Sequence, residues 1–190
     1  MTFEKPLITY QSHVKPYGEH FRLVVIDDKT LYEIDQFAKS IVKVKKNESH
    51  HKYDNNSHYK RYFTGTLGEV ALEKYLNVSG IVNWSIGDSK KYHEPDLKNI
   101  GVNAGIKTVD YGLFPIIFKK SYSNEIIMIR WKKRYVYICG LASKEVLYKY
   151  QSDDLIKDPK LKARGTKTGF YGFEQLQGFT NLDELRRIGT

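Results

Sequence analysis

Apolar residues recur at helical spacing through Leu31, Ile34, Phe37, Ala38 and Ile41, which predicts a helix with one buried face. Thr30 opens it, with Glu33 three residues on as a capping box. Upstream, His20 to Ile26 reads as a strand. A second helix begins near Thr66, with Leu67, Val70, Ala71 and Leu76 on its apolar side and Glu73 and Lys74 solvated. A β region fills the centre, with candidate strands at Ile81 to Ser85, Asp96 to Lys98, Gly101 to Val109, Phe114 to Lys119, Glu125 to Trp131 and Arg134 to Leu141. The last two are rich in Ile, Val and Tyr, and Lys132-Lys133 makes the turn between them. Ser143 caps a short helix through Tyr150, and a small helix spans Leu182 to Arg187. Two stretches, 43–61 and 151–172, are polar and basic and read as loops.

The order of helices, mixed sheet and closing helix predicts a single α/β or α+β domain over 1–190. At 190 residues, 41% of them hydrophobic, the chain is long enough for a sizeable core. No stretch approaches the roughly 20 apolar residues of a membrane span. Met1 to Tyr10 has no apolar core of signal-peptide length, so a cytoplasmic location is expected. The single cysteine, Cys139, sits in an apolar run; it reads as core, and thiolate zinc sites are excluded.

Charge changes the picture. Lys+Arg number 31 against Asp+Glu at 22, a formal +9. Such an excess points to a polyanionic partner, most simply nucleic acid. Lysines far outnumber arginines, which also suits a phage or an AT-rich genome. Five cations lie between Lys157 and Lys167, among them Lys160, Lys162 and Arg164, and Phe170, Tyr171 and Phe173 follow. Cations interleaved with aromatics suit a phosphate backbone and stacked bases. Lys60 and Arg61 are further candidates for phosphate contact. The histidines His50, His51 and His58 match no common ligand frame.

The chemistry-bearing residues are Glu94-Pro95-Asp96, then Gly105-Ile106-Lys107-Thr108, with Gly68-Glu69-Val70-Ala71 upstream. Pro95 suits the first residue of a strand, and the turn from Lys98 to Gly101 brings the chain back beside Asp96. Positions 105 and 107 then share one face of the returning strand. Carboxylates hold Mg²⁺ through oxygen, and a lysine beside the ion stabilises developing negative charge or orients water.

Helix acid, Asp96 and Lys107, in that order and ahead of two apolar strands, resemble the active site of the PD-(D/E)XK, or restriction-endonuclease-like, nuclease superfamily. The resemblance covers about Tyr62 to Leu141. It implies a mixed sheet flanked by helices, Mg²⁺- or Mn²⁺-dependent hydrolysis of DNA, Asp96 as metal ligand and Lys107 as catalytic lysine. It also implies that the Ile106 carbonyl completes the metal shell. The pattern departs at Gly105, where the family has its second acid. Glu69 is the expected replacement, although a capping-box glutamate three residues after Thr66 would occupy the same place. Glu94 is the reserve, and Asp110 a poor candidate. Cutting both strands of a duplex would call for a homodimer. Two other readings are a non-catalytic nucleic-acid-binding protein of the same fold and a protein-interaction module with a basic surface.

Overall fold

The computed structural model describes residues 7–45, 55–85 and 95–189. Glu94, His50 and His51 lie outside them. After a short helix α1 (Tyr10–His13) and a 3-10 turn, strand β1 (Arg22–Val25) leads into α2 (Asp28–Lys45) and α3 (Asn55–Leu76). Strands β2 (Ala104–Asp110), β3 (Ile116–Phe118), β4 (Asn124–Trp131) and β5 (Tyr135–Ala142) follow, then α4 (Lys144–Lys149) and β6 (Gln151–Ser152). The chain closes with α5 (Pro159–Ala163), β7 (Lys167–Phe170) and α6 (Leu182–Ile188).

The main sheet runs β1-β5-β4-β2 and is mixed: β2 lies parallel to β4, and the other pairs are antiparallel. The smaller sheet runs β3-β7-β6, all antiparallel. The apolar run of β4 is explained by burial on both faces. Ile126 and Met128 enter a core shared with Leu31, Ile34 and Ala38 of α2, Leu67 and Ala71 of α3, and Leu185 of α6. Ile127 and Ile129 enter a second core with Ile117 of β3, Phe170 of β7 and Leu147 of α4. Cys139 packs in this second core, and burial pushes its thiol well up. The protein is therefore mixed α/β, with a mixed four-stranded sheet covered by helices on one face. No helix of the described residues is long and apolar enough to cross a membrane.

Several expectations change. Helix α2 starts earlier than Thr30, because Asp27 caps it: its carboxylate takes the Thr30 N–H at 2.9 Å and the Thr30 hydroxyl at 2.9 Å. Helix α3 starts at Asn55, so 55–61 is helix and not loop, and Thr66 lies in its middle. A residue in mid-helix caps nothing, which removes the capping role for Glu69. Residues 81–85 form no strand; Ile81 and Val82 give their N–H groups to the Glu73 carboxylate at 2.8 and 3.0 Å. Glu73 is thus engaged, not solvated, and Lys74 donates to the Val25 carbonyl at 3.0 Å. Asp96 sits in a turn leading to a 3-10 helix, Lys98–Ile100, and not on a strand. The basic stretch 151–172 is not a loop: it builds α5 and two of the three strands of the smaller sheet.

Candidate functional site

The site forms at the open edge of β2, the last strand of the main sheet. Helix α3 crosses the face carrying Thr108, and it does so very closely. A Cβ on Gly68 would lie 1.8 Å from Thr108 Oγ1 and 3.1 Å from Met128 Cε. Only glycine permits that approach. It brings the next residue, Glu69, to the β2 edge near Asp96. Burial first, then the Asp96 and Glu73 charges, push the Glu69 carboxyl up to about 8.

Asp96 reaches the same edge from the preceding turn. The Leu97 N–H donates to the Ala104 carbonyl at 3.1 Å, which draws the turn against the start of β2. The Ile106 N–H then donates to Asp96 Oδ2 at 2.8 Å. An extended residue projects its N–H and C=O to the same edge, so the Ile106 carbonyl also faces this side.

Gly105 pairs in register with Glu125 of β4, and Lys107 with Ile127. Side chains at paired positions share a face, so Gly105, Lys107 and Glu125 point together. The Glu125 side chain lies over Gly105. A Cβ built there would be 2.5 Å from Glu125 Oε2 and 3.4 Å from Asp96 Oδ2. Glu125 therefore fills the space into which a side chain at position 105 would project. It is 8% exposed, and Oε2 has no hydrogen-bond partner. Oε1 lies 3.9 Å from Lys107 Nζ, a loose ion pair. Burial pushes the Glu125 carboxyl up to about 7 and Asp96 adds to this, while the Lys107 ammonium works against it.

Asp96, Lys107 and Glu69 thus come to one edge, and Glu125 joins them unanticipated. The signal for Glu125 was present in the sequence: an acid opening an otherwise apolar strand, Asn124-Glu125-Ile126-Ile127-Met128-Ile129. Among the described residues, no group of three or more His, Cys, Asp and Glu side chains is gathered tightly enough to hold a metal ion as it stands. The donors nevertheless suit a hard divalent cation. Mg²⁺ is usually held by one or two carboxylates with water completing its shell. Asp96 and Glu125 are two such carboxylates, and the unpaired Glu125 Oε2 is buried without compensation.

The basic candidates separate. Lys60 is tied to Asp110 at 2.5 Å, and Arg130 holds the same carboxylate at 2.6 Å. Burial works to raise the Asp110 carboxyl, but these two cations outweigh it and hold it below the usual range. Lys162 turns to Asp154 at 3.4 Å, and Lys160 is exposed. Lys167 stands over the Phe118 ring at 5.1 Å, and its ammonium is held below the usual lysine range. Burial is the main cause, followed by the charges of Arg61, Lys107 and Arg164. The charges of Arg61, Lys107 and Arg164 thus all act on Lys167, whereas Lys60 and Lys162 are engaged by carboxylates. Phe170 and Phe173, expected beside the cations, are buried in the second core. Comparison with known protein families, with curated proteins and with solved structures finds no match.

Proposed function

We propose that the protein is a metal-dependent nuclease of the PD-(D/E)XK type that hydrolyses DNA phosphodiesters on a restriction-endonuclease-like core. One observation carries this reading. The Glu125 carboxylate reaches from the neighbouring strand into the space in front of Gly105, beside Asp96 and on the face of Lys107. The acid missing from the sequence pattern has a counterpart in three dimensions.

A bound Mg²⁺ or Mn²⁺ supplies a Lewis acid that offsets phosphate charge and acidifies water. Asp96 and Glu125 would hold it, with Glu69 and the Ile106 carbonyl at the same edge. The remaining work falls to the chain itself. The Ile106 N–H fixes the Asp96 carboxylate. Lys107, a third exposed and only loosely paired, presents its ammonium to a phosphate oxygen or to the attacking water. In hydrolysis the water oxygen bonds to phosphorus, the ester P–O bond breaks, and the departing oxygen takes a proton. The excess of +9 favours the polyanionic substrate.

A second reading is a DNA-binding protein without catalysis. It is favoured by the lack of a preassembled three-ligand group among the described residues. Incubation of linear, circular, single-stranded and branched DNA with the protein in Mg²⁺ or Mn²⁺, against EDTA, separates the two. The nuclease reading expects metal-dependent degradation of at least one DNA form, lost in Asp96→Asn with unchanged melting temperature. Survival of every form in both metals, with retained DNA binding, supports the second.

A further inference from the structure

Three cations, Arg61, Arg164 and Lys167, which with Lys107 act on one another through their charges, lack carboxylate partners among the described residues. Arg61 projects from the turn of α3 that Lys60 ties to Asp110, at the end of the strand carrying Lys107. Arg164 caps the end of α5, three residues before Lys167 of β7. None of Arg61, Arg164 and Lys167 pairs with a carboxylate of the described residues, whereas Lys60, Lys119, Lys162 and Arg130 all do. Like charges gathered around a half-buried ammonium repel one another, and an anion received among them would relieve that repulsion. Guanidinium groups suit phosphate oxygens in particular, because their paired N–H donors match the geometry.

An aromatic platform adjoins this seat. Phe118 of β3 pairs in register with Lys167, and the Lys167 ammonium lies over its ring. Tyr122 meets Phe118 edge-on, with centroids 6.0 Å apart. Both are large aromatics facing solvent, Phe118 37% exposed and Tyr122 64%. A duplex buries its base faces in its own stack, so rings of this kind can stack an unpaired base but not a paired one.

We propose that Arg61, Arg164 and Lys167 seat a phosphate of the substrate next to Lys107, and that Phe118 and Tyr122 stack the adjoining unpaired base, so that the substrate is single-stranded at this site. The proposal rests on the nuclease reading only for the position of the bond to be cut. Its test is therefore binding and not cleavage. Fluorescence anisotropy in EDTA is measured with a labelled oligothymidylate and with a duplex of equal length, across a salt series.

The variant with Arg61, Arg164 and Lys167 all changed to Ala is expected to flatten the slope of log K against log salt by about 2 on the single strand. Lys162→Ala, already paired with Asp154, is expected to leave the slope nearly unchanged. Phe118→Leu with Tyr122→Leu, which keeps apolar surface, is expected to weaken single-strand binding about tenfold or more. Duplex affinity should stay as it was. Melting curves verify folding, and the single variants Lys167→Gln and Arg61→Gln replace the triple variant if it fails to fold, each flattening the slope by about 0.7. An unchanged slope in folded variants, or equal loss on single strand and duplex from the aromatic changes, overturns the proposal. Absence of metal-dependent cleavage by the wild type, with these binding results intact, would instead count against the nuclease reading alone.

Discussion

Glu69 offers a sharp test of the electrostatics at the β2 edge. Its carboxyl is raised from 4.5 to about 8 by burial, then by Asp96 and Glu73. The folded protein thus holds this proton more tightly than the unfolded chain does. The associated stability is fully present below the unfolded value near 4.5 and is lost as pH rises through about 8. At about 1.4 kcal/mol per pKa unit, the loss approaches an upper bound of roughly 5 kcal/mol. Glu69→Gln keeps the shape and removes the ionisation. In EDTA it should match the wild type near pH 5 and exceed it by a few kcal/mol at pH 9, with the gap opening mainly between those limits. Urea unfolding at pH 5, 7 and 9 measures the difference, and contributions common to both proteins, Glu125 included, largely cancel. Parallel stability profiles would refute the placement of Glu69 in a desolvated acidic cluster. A uniform loss at every pH would return it to an ordinary structural role.

Other outcomes follow from the same geometry. Gly105→Ala should fold, because only the flexible end of Glu125 stands in the way at 2.5 Å, yet it should lower Mn²⁺ affinity in a calorimetric titration by displacing that carboxylate. Gly105→Glu combined with Glu125→Ala moves the acid to the other strand and should recover part of the activity that Glu125→Ala alone removes, read as cleavage rate. Gly68→Ala forces a Cβ against Thr108 and should cost about 1–3 kcal/mol in thermal or urea unfolding, with Mn²⁺ affinity falling as Glu69 is pushed from the edge. Lys107→Ala should lower kcat about 100-fold or more with little change in melting temperature, since its ion pair with Glu125 is loose.

The elements read most directly from the sequence are those whose pattern is set locally. The face of α2 at Leu31, Ile34, Ala38 and Ile41 is buried as the periodicity implies, and β4 and β5 follow their Ile, Val and Tyr runs. Helix α3 was harder to delimit because it is central. It buries Phe63, Thr64, Thr66, Leu67 and Leu72 on several sides, so no single stripe marks its start. The smaller sheet hid in a basic stretch because its strands are short and their partners distant in sequence: Lys167 pairs with Phe118, and Gln151 with Phe170. At the site, Asp96 and Lys107 are separated by only a turn, so their proximity was legible from spacing. The placement of Glu125 in front of Gly105 was not, because it depends on the parallel register of β2 and β4, a relation between strands not adjacent in sequence.

The central claim is that Asp96 and Glu125 form one catalytic carboxylate pair. Its most direct measurement is the Mg²⁺-dependent cleavage rate of a labelled single-stranded DNA by the wild type, Asp96→Asn, Glu125→Gln and the double variant. Cleavage is expected from the wild type alone, with either single change abolishing nearly all of it and the double change adding little further loss. Full activity in folded Glu125→Gln would contradict it, and so would wild-type protein that leaves linear, circular, single-stranded and branched DNA all intact.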